Sequence, residues 1–245
     1  MTFRYAGASA TGKGHLDTGT DCEDAWRVTA NEYGIVACVC DGAGSASRSA
    51  EGARCLADAV CEGLICELEN LDSQTIIGTL AEAIENTRRA LAERGPLSDF
   101  HATLCGVAMG HDQSVVFHLG DGIVLGTATP DWEDFVVSEP ENGDFAETTY
   151  FFTLPDWRRH LRIFSVPGKY RSWFLMSDGT ASFAVKTAPW RPTSRFLVPI
   201  HRYLLNQTND TECSQALMST LQSPEADRIT ADDKTLVWLN DQRQN

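Results

Sequence analysis

The stretch Cys22-Glu23-Asp24-Ala25-Trp26-Arg27-Val28-Thr29-Ala30-Asn31-Glu32-Tyr33-Gly34-Ile35-Val36-Ala37-Cys38-Val39-Cys40-Asp41-Gly42 decides how the rest of the chain reads. Two strand-like runs, Ala25–Ala30 and Ile35–Cys40, flank Asn31-Glu32-Tyr33-Gly34, whose Asn and Gly are turn formers, so a hairpin is predicted. A turn centred between Glu32 and Tyr33 sets Asp24 opposite Asp41. An acid pair therefore enters the hairpin where an Asp-Gly pair leaves it.

The same arrangement recurs further along. The apolar run 115–119 leads into Gly120-Asp121-Gly122, the run 173–176 leads into Ser177-Asp178-Gly179, and Asp232-Asp233 precedes a predicted last strand at 235–239. In antiparallel sheets the end of one strand lies beside the start of the next, so all these acids can gather at one sheet edge. Any one Asp-Gly is an ordinary turn pair. Its recurrence at three strand ends, with acid pairs at two strand starts, points to a site, in which Asp121 is the weakest member. Carboxylates crowded at the edge of an apolar core repel one another and are poorly hydrated, which raises their pKa values unless a cation sits among them. An all-oxygen ligand set suits Mg²⁺ or Mn²⁺ rather than Zn²⁺, and this many acids can hold two ions about 3.5–4 Å apart.

Helices are predicted where Ala53, Ala57, Val60, Leu64 and Leu68 recur at spacings of three and four. A second helix carries Ile77, Leu80, Ile84 and Leu91 behind a cap at Asp72 or Ser73, and Gly95-Pro96 ends it. A second hairpin pairs 103–109 with 115–119 across Gly110-His111-Asp112-Gln113, followed by strands at 123–128, 148–153, 161–166 and 173–176 and helices at 193–206 and 211–221. Strands and helices come in blocks rather than in alternation, which predicts antiparallel sheets packed by helices. The acidic stretch 138–147 reads as an exposed loop and a candidate lid. With no repeat, low-complexity tract or linker, one domain over residues 1–245 is expected.

A net charge of −14 excludes simple electrostatic binding to nucleic acid or anionic membrane. No apolar run approaches the ~20 residues of a membrane span, and the opening Met1-Thr2-Phe3-Arg4-Tyr5 lacks the apolar stretch of a secretory leader. A cytoplasmic protein is expected. None of the eight cysteines forms a Cys-x-x-Cys pair, so they are read as reduced core residues.

These motifs resemble the metal-dependent PP2C-type Ser/Thr protein phosphatases, and most of all a bacterial subfamily of small stand-alone enzymes. The matching segments are Gly12-Lys13-Gly14-His15, Cys22-Glu23-Asp24-Ala25, Asp41-Gly42-Ala43-Gly44-Ser45, His118-Leu119-Gly120-Asp121-Gly122, Glu147-Thr148-Thr149-Tyr150-Phe151, Met176-Ser177-Asp178-Gly179 and Asp232-Asp233-Lys234-Thr235. Their order and spacing run from about Tyr5 to Trp238. The resemblance implies an α+β fold, a four-layer α-β-β-α sandwich of two antiparallel sheets flanked by helices, with metals at one end. It implies that Asp41 bridges two ions, that Gly42 (through its carbonyl) and Glu23 bind the second, and that Asp178 and Asp232 bind the first. Asp24 would act through water, Asp121 would serve a third, weaker ion, and Asp233 need not touch metal. The implied reaction is direct attack on the phosphorus of phosphoserine or phosphothreonine proteins by a metal-bridging hydroxide, and a cognate Ser/Thr kinase is an expected partner. A catalytically weak phosphoprotein-binding or regulatory module is the alternative.

Two departures bear on that implication. Gly19 stands where many relatives carry a phosphate-holding Arg, which leaves Lys13, Arg48 or a backbone donor for that task. Ala43 stands where eukaryotic-type relatives carry a His that protonates the leaving group, and His15 is the candidate substitute. Among rival motifs, 7–14 nearly forms a nucleotide-binding phosphate loop, but Gly14 offers no hydroxyl for Mg²⁺ and 15–20 does not look helical. Residues 42–47 match a dinucleotide fingerprint only in part, outside a βαβ context.

Overall fold

The computed structural model describes residues 3–141 and 149–243. The chain runs through β1 (Phe3–Ala10), α1 (Lys13–Thr18), β2 (Ala25–Ala30), β3 (Ile35–Cys40), α2 (Ser49–Leu64), α3 (Ser73–Ala92), β4 (Leu104–Met109), β5 (Gln113–Leu119), β6 (Ile123–Thr127) and β7 (Phe135–Ser138). It continues through α4 (Trp157–His160), β8 (Arg162–Pro167), β9 (Ser172–Met176), α5 (Asp178–Ala184), β10 (Val185–Lys186), β11 (Arg191–Pro192), α6 (Ser194–Asn206), α7 (Asp210–Leu221), α8 (Pro224–Ile229) and β12 (Lys234–Asp241).

Two five-stranded antiparallel sheets face each other, one in the order β2-β3-β4-β5-β8 and the other β1-β12-β9-β6-β7. Strand β3 shows why its composition suits the middle of such a stack. Because side chains alternate along a strand, Val36, Cys38 and Cys40 point to the α2–α3 layer while Ile35, Ala37 and Val39 point to the opposite sheet, and all six are buried. On the far side, Phe174, Met176, Leu236 and Trp238 pack against α5, α6 and α7. The four layers are thus helix, sheet, sheet, helix, as the resemblance implied. Among the described residues no helix is long and apolar enough to cross a membrane.

The first hairpin has the expected register: Ala25 pairs with Cys40 and Ala30 with Ile35, which sets Asp24 level with Asp41. Helix α3 starts at the expected cap, where the Asp72 side chain accepts from the backbone N–H groups of Gln74 and Thr75 at 2.8 and 3.0 Å. Its buried stripe is Ile76, Leu80, Ile84 and Leu91; Ile77, expected in it, is 39% exposed, because after a start at Ser73 a four-residue step back from Leu80 falls on 76.

Other expectations need correction. Of the strand predicted at 148–153, Thr148 lies outside the described residues, and Phe151–Leu154 forms a turn in which the buried Phe152 donates its backbone N–H to Ala102 O (3.1 Å). That aromatic run plugs the helix-side core instead of pairing in a sheet. Of the loop and lid expected at 138–147, Ser138 ends β7, whose strand the sequence reading missed, and residues 142–147 lie outside the described residues. A helix, α1, does follow Gly12, contrary to expectation, yet a phosphate loop is still ruled out. Residues 7–10 are extended in β1 and paired with 234–237 of β12, and the Gly12 N–H is taken by Asp233 Oδ1 at 2.7 Å. All eight cysteines are free, but Cys66 is exposed and so is not a core residue.

Candidate metal centre

Strand ends bring the predicted acids to one edge of the two sheets. Asp41 follows β3, Asp24 precedes β2, Asp121 follows β5, Asp178 opens α5 directly after β9, and Asp232 and Asp233 lead into β12. Close packing, rather than turn preference, explains the glycine in two of the Asp-Gly pairs. A Cβ on Gly42 would lie 2.7 Å from Glu23 O, and one on Gly179 would lie 2.0 Å from Asp233 O. Backbones of different strands approach one another at this edge too closely for any side chain, which is also what crowds the acids.

The electrostatics follow from that crowding. Burial pushes Asp41 well above the ordinary carboxylate range, reinforced by Asp24, Asp178, Asp121 and Asp232. Burial likewise lifts Asp24 to about 7, against the hydroxyls of Thr235 and Ser177 that bond it. Asp178 rises to about 6 through burial and the charges of Asp121 and Asp232. Asp121 and Glu23 are raised by burial as well. Asp24 and Asp178 each meet Asp41 side chain to side chain, so Asp24, Asp41, Asp121, Asp178 and Asp232 form one interacting cluster.

Three buried acceptor atoms, Glu23 Oε2, Asp24 Oδ1 and Asp178 Oδ1, have no hydrogen-bond partner. Such atoms are costly unless a donor or cation meets them. A carboxylate only accepts, so an oxygen-seeking cation such as Mg²⁺ or Mn²⁺ fits this donor set. Among the described residues no three carboxylate, His or Cys side chains are already closed into a finished ligand set.

The residues that hold the acids in place were not assigned that task from sequence. Ser177 Oγ donates to Asp24 Oδ2 (2.8 Å) and accepts from Thr235 N (3.0 Å), tying one sheet to the other. Thr103 Oγ1 accepts from Asp41 N at 3.1 Å, and Thr149 Oγ1 donates to Asp121 Oδ2 at 2.5 Å. Asp233, 3% exposed, is the hub: it accepts from Gly12 N at 2.7 Å and Glu23 N at 2.6 Å and bonds His15 Nδ1 at 3.0 Å. Asp233→Ala would leave two backbone N–H groups without an acceptor and is expected to cost about 2–4 kcal/mol in urea unfolding, whereas Asp233→Asn, which keeps one acceptor oxygen, costs less.

His15 lies beside the cluster, with Nε2 3.7 Å from Glu23 Oε2. Burial alone would lower its pKa, but the bond to Asp233 and the charges of Asp233, Glu23 and Asp232 outweigh this and raise it. Gly19 is the left-handed end of α1 (φ 72°), with nothing within 4 Å of where its Cβ would stand, so the helix stop explains the glycine there. Arg48 is committed elsewhere: it bonds Glu51 and the Arg94 carbonyl and stacks over Phe100 at 4.4 Å. Lys13 is exposed and paired with Asp17 at 3.1 Å. A cavity of about 420 Å³ opens beside the acids, lined by Asp121, Asp178, Pro140, Val185, Thr187 and Trp190 among others.

Comparison with known proteins places this geometry. The chain is 26% identical over 253 residues to serine/threonine-protein phosphatase 3 of Escherichia coli (strain K12), covering 96% of this chain and 97% of that protein. The crystal structure of serine/threonine phosphatase Stp1 from Staphylococcus aureus shares the fold with a TM-score of 0.65 at 14% identity, over 98% of this chain and 95% of that one. RsbX, solved in complex with magnesium, matches with a TM-score of 0.57 at 15% identity, over 97% and 94% of the two chains. The family profile described as protein phosphatase 2C spans residues 11–222, most of the sandwich and every acid of the cluster except Asp232. With that span, and with the acids gathered at the sheet edge, the chain belongs to the protein phosphatase 2C family.

Proposed function

We propose that this chain is a divalent-metal-dependent protein serine/threonine phosphatase, one domain over residues 1–245, acting on phosphorylated proteins. The carrying observation is the convergence of Asp24, Asp41, Asp121, Asp178 and Asp232 at one sheet edge of a PP2C-family chain. Asp41 would hold two Mg²⁺ or Mn²⁺ ions, Asp178 and Asp232 the first, and Glu23 with the Gly42 carbonyl the second. Asp24 would contribute through water, and Asp121 would serve a third, weaker ion. When bound, the ions supply an activated water and neutralise phosphate charge.

The chain's own contribution is positioning and proton supply. Ser177 locks Asp24, Thr103 holds the Asp41 backbone, and Asp233 fixes both the Glu23 backbone and the imidazole of His15. His15, whose pKa is raised, carries a proton closer to neutral pH than a free imidazole does, and its place beside Glu23 suits it to protonate a leaving oxygen. A cognate Ser/Thr kinase would be the partner that supplies such a substrate.

The test is turnover of an aryl phosphate and of phosphoserine and phosphothreonine peptides with added Mn²⁺. Robust turnover that a chelator abolishes is expected. Tight phosphopeptide binding with no turnover of any substrate would replace this reading with a regulatory module.

A further inference from the structure

The short ladder of β10 and β11 has two faces with different character. On one face Val185 pairs with Pro192, both buried, and Val185 joins Thr187 and Trp190 in walling the cavity that contains Asp121 and Asp178. On the other face Lys186 pairs with Arg191, both exposed. Like charges directly opposite each other in a ladder are destabilising. Arg195, in the first turn of α6, joins them, and the three cations line a separate cavity of about 650 Å³ with Pro192, Thr193 and Ser194.

Among the described residues no acid offsets this repulsion. Among the described residues Lys186, Arg191 and Arg195 have no carboxylate partner, although the chain has 34 acids and cations such as Arg4, Arg94 and Lys169 are paired. The first turn of α6 contains no acid, and Thr193 gives it no side-chain cap, so its free N–H groups add to the same positive field. Three clustered cations without a carboxylate partner among the described residues, in a chain of net charge −14, make a local positive field that attracts anions.

We propose that this cleft docks an anionic segment, either acidic side chains or a second phosphoryl group, of the protein substrate whose phosphoester lies at the Asp41 centre. The identity of that occupant rests on the phosphatase reading. It is favoured because the hairpin carrying the cations also walls the cavity beside Asp178, so a peptide leaving the acidic centre by that cavity meets the hairpin. The rest of the acidic surface repels such a substrate, and this cleft supplies the attraction that surface lacks.

The experiment combines Lys186→Ala, Arg191→Ala and Arg195→Ala and compares phosphopeptides with acidic flanks, with neutral flanks and with a second phosphate, alongside an aryl phosphate. For three exposed charges the expected rise in KM is roughly tenfold on the anionic peptides, with kcat unchanged and with the neutral peptide and aryl phosphate unaffected. A loss confined to the doubly phosphorylated peptide identifies phosphate as the docked group, and a loss on acidic flanks identifies carboxylate. An unchanged KM ratio between anionic and neutral peptides overturns the proposal. Fluorescence anisotropy with a phosphate-free Asp/Glu peptide separates it from the phosphatase reading. Salt-sensitive binding that the triple variant loses, in a protein that hydrolyses nothing, keeps the docking site and removes the phosphatase; turnover with equal peptide binding in both proteins does the reverse.

Discussion

Asp41→Asn is expected to lower metal-dependent turnover by a factor of about 10³ or more, since it removes a carboxylate proposed to serve two ions at once. The same substitution should make the metal-free protein more stable. The Asp41 carboxylate is penalised by burial and by four neighbouring acids, and an amide of nearly the same shape carries no charge to penalise. Without metal, a rise in melting temperature of roughly 3–6 °C is expected, which corresponds to relief of one or two kcal/mol in a chain of this size. Circular dichroism with and without Mn²⁺, beside aryl-phosphate kinetics, reads both effects. Full activity would remove the metal-centre assignment, and a less stable apo variant would show that Asp41 is held by favourable contacts rather than by a cation.

Chelation should produce the second large effect, and pH should modulate it in a defined direction. Asp24 and Asp178 have folded pKa values raised to about 7 and about 6, above their ordinary value of 3.8. Between the ordinary and the raised values the folded protein binds more protons than the unfolded chain, so stability falls as pH rises. His15 acts in the same sense: its raised pKa contributes stability that is present at low pH and lost as pH climbs through the folded value. The apo protein is therefore expected to melt higher at pH 5.5 than at pH 7.5, by roughly 5–10 °C. Saturating Mn²⁺ should reverse the order of benefit, stabilising strongly at pH 7.5 and weakly at pH 5.5, because the ions compete with protons for the same oxygens. Thermal melts across that window with and without EDTA test this. Apo stability that rises with pH would mean the acids are already satisfied by the protein.

Much of this was legible from residue order because strand periodicity is local. Hairpin β2–β3 and its register needed only two apolar runs and the Asn31–Gly34 turn, and that register already set Asp24 against Asp41. Helix α3 was legible through its cap, although its buried stripe was misplaced at Ile77 because two adjacent isoleucines compete for one face. The helices α1 and α5 escaped notice. At six and seven residues they are too short for a periodic signal, and contacts at the sheet edge hold them. Phe151–Phe152 reads as strand by composition, yet its backbone bonds to Ala102 and its side chain fills the core.

The supports of the site were hidden for a similar reason. Ser177, Thr103 and Thr149 are common residues whose importance comes from partners 153, 62 and 28 positions away. Asp233 could be placed beside the acids from order alone, but not shown to join Gly12, His15 and Glu23. The chain's order of residues by itself determined which acids lie at strand ends and that the sheets are antiparallel. Only the tertiary structure decided which oxygens are buried without a donor, which hydroxyls lock them, and that the cations at Lys186, Arg191 and Arg195 stand together. Periodicity and charge count are written along the chain, whereas desolvation and hydrogen-bond satisfaction exist only once distant segments share the same space.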